Sequence, residues 1–157
     1  MLFNKILLGL DDMTSPWIFV PQPATEEDKD PQPIPLRYDV FVAKLFKYDS
    51  PKVMQLHAAV GVAEEAGELA GCIKKHAVYN KPLTEPMKED GKSLQEHIIE
   101  EAGDVLFYVQ AVLNQFGFSF QDVLQHNAIK LSKRYQELEY SDAKANARAD
   151  KPAGEQK

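Results

Sequence analysis

Residues 64–68 read Glu-Glu-Ala-Gly-Glu and residues 100–104 read Glu-Glu-Ala-Gly-Asp, and each copy lies inside a long run with helical periodicity. Helical residues three apart share a face about one turn apart. Two such helices packed antiparallel aim Glu65, Glu68, Glu101 and Asp104 into one space. Four carboxylates meeting there repel one another unless a cation is held among them. The repeat therefore asks for paired helices around a positive charge, or for helices whose acidic faces are simply solvated.

The flanking sequence supports helices at both copies. Ser50 is a good N-cap and Pro51 a good first residue for a helix over about 51–77, with Val62, Ala66, Leu69, Ile73 and Ala77 as its apolar stripe. Gly61, Gly67 and Gly71 also lie in it, each costing about 1 kcal/mol relative to alanine, which suggests close helix approach. Ser93 and Glu96 form a capping-box pattern for a helix over about 94–116, which Gly117 ends. Ser119 and Asp122 open another, expected to run to about Leu138 and to turn Phe120, Val123, Leu124, Ala128, Leu131, Tyr135 and Leu138 to the core. A shorter stripe of Val40, Phe41 and Leu45 stops at Asp49-Ser50-Pro51. Residues 78–93, broken by Pro82, Pro86 and Asp90-Gly91, read as a loop. No strand pattern stands out. The expected class is all-α, with a four-helix core.

Residues 1–37 read as an arm, with Pro21, Pro23, Pro31, Pro33 and Pro35 making 21–35 an extended linker and Glu26 to Asp30 a charge run. The apolar cluster Trp17 to Val20 is expected to dock on the core or on a partner subunit. Residues 38–150 form the domain and 151–157 a polar tail.

The net charge of −6 argues against a nucleic-acid-binding surface. Cys72 is the sole cysteine, which excludes an intrachain disulfide and fits a packed, inert thiol in a reducing compartment. The apolar run Ile6 to Leu10 is too short for a signal-peptide core, and no stretch reaches the roughly 20 apolar residues of a membrane span. A cytoplasmic protein is expected.

An all-oxygen carboxylate cage selects Mg²⁺, with Mn²⁺ as a substitute, over zinc. None of the four histidines follows a Glu by three residues, so a di-iron bundle is not expected. Magnesium in an open cage usually serves phosphates, and cations for phosphate oxygens are at hand. Asn127, Lys130 and Arg134 share one face of the fourth helix, and Lys74, Lys75 and Lys81 surround the end of the second. Lys130 and Arg134 have Glu137 or water as alternative partners.

Glu-Glu-x-x-Glu on one helix followed by Glu-Glu-x-x-Asp on the next resembles the MazG-like, all-α NTP pyrophosphohydrolase superfamily, over about residues 38–150. The likeness takes in Leu56-His57-Ala58, Lys74-Lys75-His76, Asn127-x-x-Lys130-x-x-x-Arg134-Tyr135 and the tail from Tyr140-Ser141-Asp142 to Lys151, the last similar to small, often phage-encoded members. The resemblance implies cleavage of a (deoxy)nucleoside triphosphate between the α- and β-phosphates to a monophosphate and pyrophosphate. It implies that Glu65, Glu68, Glu101 and Asp104 hold Mg²⁺ and that Glu64 acts on the attacking water. It places His57, Lys75, Asn127, Lys130, Arg134 and Tyr135 among substrate-binding candidates, and implies a homodimer or homotetramer. Glu100 is left without a task.

The loop around 84–94 is longer than the family pattern, and the proline-rich arm lies outside it. Alternative readings are a dUTP- or dCTP-specific enzyme, a phosphoribosyl-ATP pyrophosphohydrolase, or a non-catalytic helical module with a structural metal site.

Overall fold

The computed structural model describes residues 15–25, 28–87 and 90–151. The Ile6 to Leu10 run, Glu26 and Glu27 of the charge run, and residues 152–157 of the tail lie outside the described residues. The chain divides into two compact units, residues 16–117 on one side and residue 15 with the chain from Phe118 onward on the other.

The first unit begins with a ribbon that the sequence reading did not anticipate. Strand β1 (Trp17–Val20) pairs antiparallel with β2 (Ile34–Arg37), Trp17 opposite Arg37 and Val20 opposite Ile34. Each strand has only four residues, too few to display a period, and β2 contains Pro35. Proline is tolerated because a two-stranded ribbon leaves every strand an open edge that needs no donor. The proline-rich stretch is thus the connection of a long hairpin. The ribbon is small, and the fold is all-α as expected.

Strand β2 runs straight into α1 (Tyr38–Leu45), whose first N–H donates to the carbonyl of Pro16 at 2.7 Å. Arg37 donates to both carboxylate oxygens of Asp39, at 3.1 and 2.5 Å. Helix α2 (Pro51–Ala77) and helix α3 (Leu94–Phe116) have the expected limits and, among the described elements, pack most extensively against each other. Ser93 and Glu96 close the predicted capping box, and Gly117 ends α3 in the left-handed conformation (φ 69°) that a side chain disfavours. Val42 of α1 packs between Ala58 of α2 and Ala111 of α3, ringed by Tyr38, Phe41, Phe46, Phe107 and Val112. Alanine on both long helices lets them approach while valine fills the seam.

The α2–α3 loop is tightly bonded. The Gln95 N–H donates to the Leu83 carbonyl at 2.9 Å and the Met87 N–H to the Lys92 carbonyl at 2.7 Å. Gly91 turns the chain at φ 77°, and the Lys92 Nζ reaches back to Glu100 on α3.

In the second unit α4 (Phe120–Arg134) starts at the expected Ser119–Asp122 capping box. It ends at Arg134 rather than near Leu138, because the chain turns there and Leu138 itself takes a left-handed conformation (φ 56°). The expected core face of α4 is not buried in this chain: Val123, Leu124, Leu131 and Leu138 are all exposed. A short helix α5 (Asp142–Ala147) follows, capped by Ser141. Arg134 then clamps Asp150 through two hydrogen bonds of 2.7 and 2.9 Å. Among the described residues no helix is long and apolar enough to cross a membrane.

Candidate metal centre

The chain order of facing residues shows that α2 and α3 run antiparallel. Gly61 lies against Tyr108, while Glu65, one turn further along α2, feels the charge of Asp104, one turn back along α3, and Glu101, two turns back, feels that of Glu68. This pairing brings together carboxylates from the two copies of the repeat. Glu65, Glu101 and Asp104 each present an oxygen, all within 4.8 Å of one another. Glu65 and Glu101 are half-buried and Asp104 is exposed.

These acids are electrostatically uncomfortable. Burial pushes the Glu65 carboxyl above the usual carboxylate range, and the charges of Asp104, Glu68, Glu101 and Glu64 add to the effect. Glu101 is raised likewise, by burial first and then by Glu68, Asp104 and Glu100, with His97 opposing. None of the three has an ion-pair partner among the described residues. Oxygen-only donors, crowded and uncompensated, fit a hard divalent cation.

The other predicted acids fall into different places. Glu68 is exposed and outside the trio, although its charge acts on both Glu65 and Glu101. Glu64 is exposed beside it, and its charge reaches Glu65 and Tyr108. Glu100, left without a role by the sequence, is held by Lys92.

His57 stands in an aromatic group, stacked on Phe46 at 4.7 Å between ring centres and edge-on to Tyr108 at 5.8 Å. Lys75 is half-buried near Cys72. Cys72 itself is buried, and burial raises its thiol above the ordinary range, as an inert packed cysteine requires. Asn127 and Lys130 are exposed on α4. Arg134 is engaged by Asp150, and Tyr135 lies against Tyr140 at 5.8 Å and under the Arg134 guanidinium at 6.0 Å.

Two tyrosines escaped the sequence reading. Tyr108 is raised by burial and by the charges of Glu65, Glu64 and Asp104, and Tyr38 by burial and Asp104. For Tyr108 the signal was present in its spacing: it follows Asp104 by four residues and so shares its face. Tyr38 reaches the acids only through the tertiary packing of α1.

The profile of the MazG nucleotide pyrophosphohydrolase domain matches residues 55–138, more than half of the chain and all the acids of the doubled motif, from Glu64 to Asp104. The chain belongs to the MazG nucleotide pyrophosphohydrolase family. It is also 33% identical over 73 residues to the uncharacterized protein YvdC of Bacillus subtilis strain 168, a stretch that covers 46% of this chain and 68% of that one. No solved structure matches the chain. The MazG match begins at Gln55 and ends at Leu138, so β1, β2, α1 and α5 lie beyond it.

Proposed function

We propose that this MazG-family chain is a Mg²⁺-dependent hydrolase of (deoxy)nucleoside triphosphates, with Mn²⁺ able to substitute. The observation that carries this reading is the meeting of Glu65, Glu101 and Asp104 across α2 and α3 with no ion-pair partner among the described residues. These three, joined by Glu68, would hold the cation. The chemistry supplied by a bound dication is charge neutralisation on the phosphate oxygens.

The chain's own residues do the rest. Glu64, exposed and one residue ahead of Glu65, accepts a proton from water. The water oxygen bonds to the α-phosphorus as the bond from that phosphorus to the α–β bridging oxygen breaks. Pyrophosphate leaves with the bridging oxygen, and the nucleoside monophosphate keeps the water oxygen. Lys75 is assigned to phosphate oxygens, and Asn127, Lys130 and Arg134, on α4 of the other unit, are proposed as phosphate-binding candidates from their side-chain chemistry. His57 and Tyr135, both in aromatic groups, are assigned to the nucleoside. The exposed apolar side chains Val123, Leu124 and Leu131 of α4 support a homodimer or homotetramer that covers them. The setting is proposed to be cytoplasmic.

The test is a panel of canonical and modified (d)NTPs, with dUTP, dCTP and phosphoribosyl-ATP included, incubated with Mg²⁺. Pyrophosphate release is expected from at least one of them. Folded protein that releases none overturns the reading, and orthophosphate release points to a different phosphatase chemistry.

A further inference from the structure

Three glycines sit in α2 and one in α3 beside the second acidic pair, yet only one of these is required by a close contact. A Cβ at Gly67, Gly71 or Gly103 meets nothing within 4 Å. At Gly61, which is buried, a methyl group would overlap ring carbons Cγ, Cδ1 and Cε1 of Tyr108. Those are not the tip of a flexible chain but the body of a rigid ring, so the ring and a side chain on residue 61 cannot share the space.

The ring has no easy alternative. Phe107 meets it edge-on at 5.4 Å, Phe46 at 6.4 Å and His57 at 5.8 Å between centres. Tyr108 is thus boxed between aromatic neighbours and the bare Cα of Gly61. That seat is one helical turn from Glu64 and Glu65 on α2 and one turn from Asp104 on α3. The phenol feels all three charges, and its hydroxyl makes no hydrogen bond among the described residues. An O–H donor one helical turn along α3 from Asp104, and hydrogen-bonded to nothing among the described residues, is available to an anionic oxygen brought in by a ligand.

We propose that Gly61 is a positioning residue, acting through Tyr108: its bare Cα is the seat from which the Tyr108 hydroxyl hydrogen-bonds an anionic phosphate oxygen of the bound nucleotide. The inference rests on the triphosphate reading of the site. It adds that the α2 backbone, through the absence of one methyl group, sets the position of a ligand-binding hydroxyl on α3.

The experiment compares full-length wild type with Gly61→Ala, Tyr108→Phe, the double variant of these two, Tyr108→Ala, and Gly61→Ala combined with Tyr108→Ala. The readouts are Mn²⁺ binding by electron paramagnetic resonance, Mg²⁺-dependent binding of an α,β-methylene triphosphate analogue, kcat and KM, and thermal unfolding. Gly61→Ala and Tyr108→Phe are each expected to weaken analogue binding about tenfold, the order of one hydrogen bond to a charged group. Neither is expected to change Mn²⁺ affinity, since no carboxylate is touched. The Gly61→Ala, Tyr108→Phe double variant should be no weaker than the worse single one, because both act through one hydroxyl. Measured against Tyr108→Ala alone, Gly61→Ala should lower the unfolding midpoint less than it does in wild type, because the methyl group then has no ring to meet.

Wild-type analogue affinity in Gly61→Ala, or losses that multiply in the double variant, overturns the proposal. A wild type that binds Mn²⁺ and the analogue but hydrolyses no triphosphate overturns the proposed reaction and leaves this inference standing. A wild type that binds no analogue overturns both.

Discussion

Lys92 grips both carboxylate oxygens of Glu100, at 2.8 and 2.7 Å, whereas Glu64, at the matching place in the first copy of the repeat, has no such partner among the described residues. The two copies are therefore chemically distinct although their sequences nearly coincide. Glu100 also raises Glu101. Lys92→Ala leaves that negative charge unbalanced beside the trio, so Mn²⁺ should bind a few-fold more tightly at low ionic strength. The gain should fade in several hundred millimolar salt, where the screening length falls to a few ångströms. Titration of Mn²⁺ at two salt concentrations checks it, and tighter binding that persists in high salt would point to a structural cause instead.

The trio and Glu68 should not be equal. Glu65→Gln, Glu101→Gln and Asp104→Asn each remove an oxygen from the cluster and should weaken Mn²⁺ binding by at least about tenfold. Glu68→Gln removes a charge beside the cluster and should cost only a few-fold. Isothermal titration of the four variants ranks them, and an equal loss at Glu68 would restore it to the ligand set on the same footing.

Acid should stabilise the metal-free protein before it destabilises it. Glu65 and Glu101 have raised carboxyl pKa values, so over the window between the unfolded and the folded value the native state binds more protons than the unfolded one. Stability then falls as pH rises through that window, and increases on acidification from neutrality. Asp150, held by Arg134 at about 2, works the other way, with its contribution lost as the pH falls from the ordinary aspartate range through about 2. Thermal unfolding without metal should therefore show a maximum on the acid side of neutrality. Glu65→Gln should raise the midpoint at pH 7 and flatten the rise. Mg²⁺ at a concentration that saturates wild type should raise its neutral midpoint more than that of the variant.

Asp150→Asn should loosen the end of the second unit without touching the metal centre. It removes the anion from a two-point pair whose carboxylate side chain is only 5% exposed. Faster amide hydrogen exchange across 142–151, with unchanged Mn²⁺ affinity, is expected. Lysine should not replace Arg134 here, because a point charge cannot form both bonds of the planar fork.

Much of the helical frame was legible because its punctuation is local. Ser50-Pro51, Ser93 with Glu96, Ser119 with Asp122, and Gly117 each act within one turn, and α2 and α3 have the limits those residues announce. The acidic trio was legible for the same reason, since spacing along a helix fixes a face. The ribbon was not, because four-residue strands separated by a proline-rich connection are recognised only by each other. The end of α4 is not legible, because an apolar residue need not lie inside: Leu138 is 84% exposed in a left-handed turn. The partners of Glu100 and Arg134, eight and sixteen residues away, depend on how loop and tail fold back.

Val42 is fully buried, yet it stands thirteen positions before the residue at which the family match begins. Its α1 is further tied by the Asp39 carbonyl, which accepts a hydrogen bond from the Asn114 side chain at 2.9 Å. The border drawn by ancestry and the border drawn by cohesion are consequently different places. A polypeptide cut back to its conserved portion would keep every carboxylate of the cation cluster and lose the wedge between the two helices that carry them. Its failure to bind metal would then report a missing wedge, not a mistaken ligand.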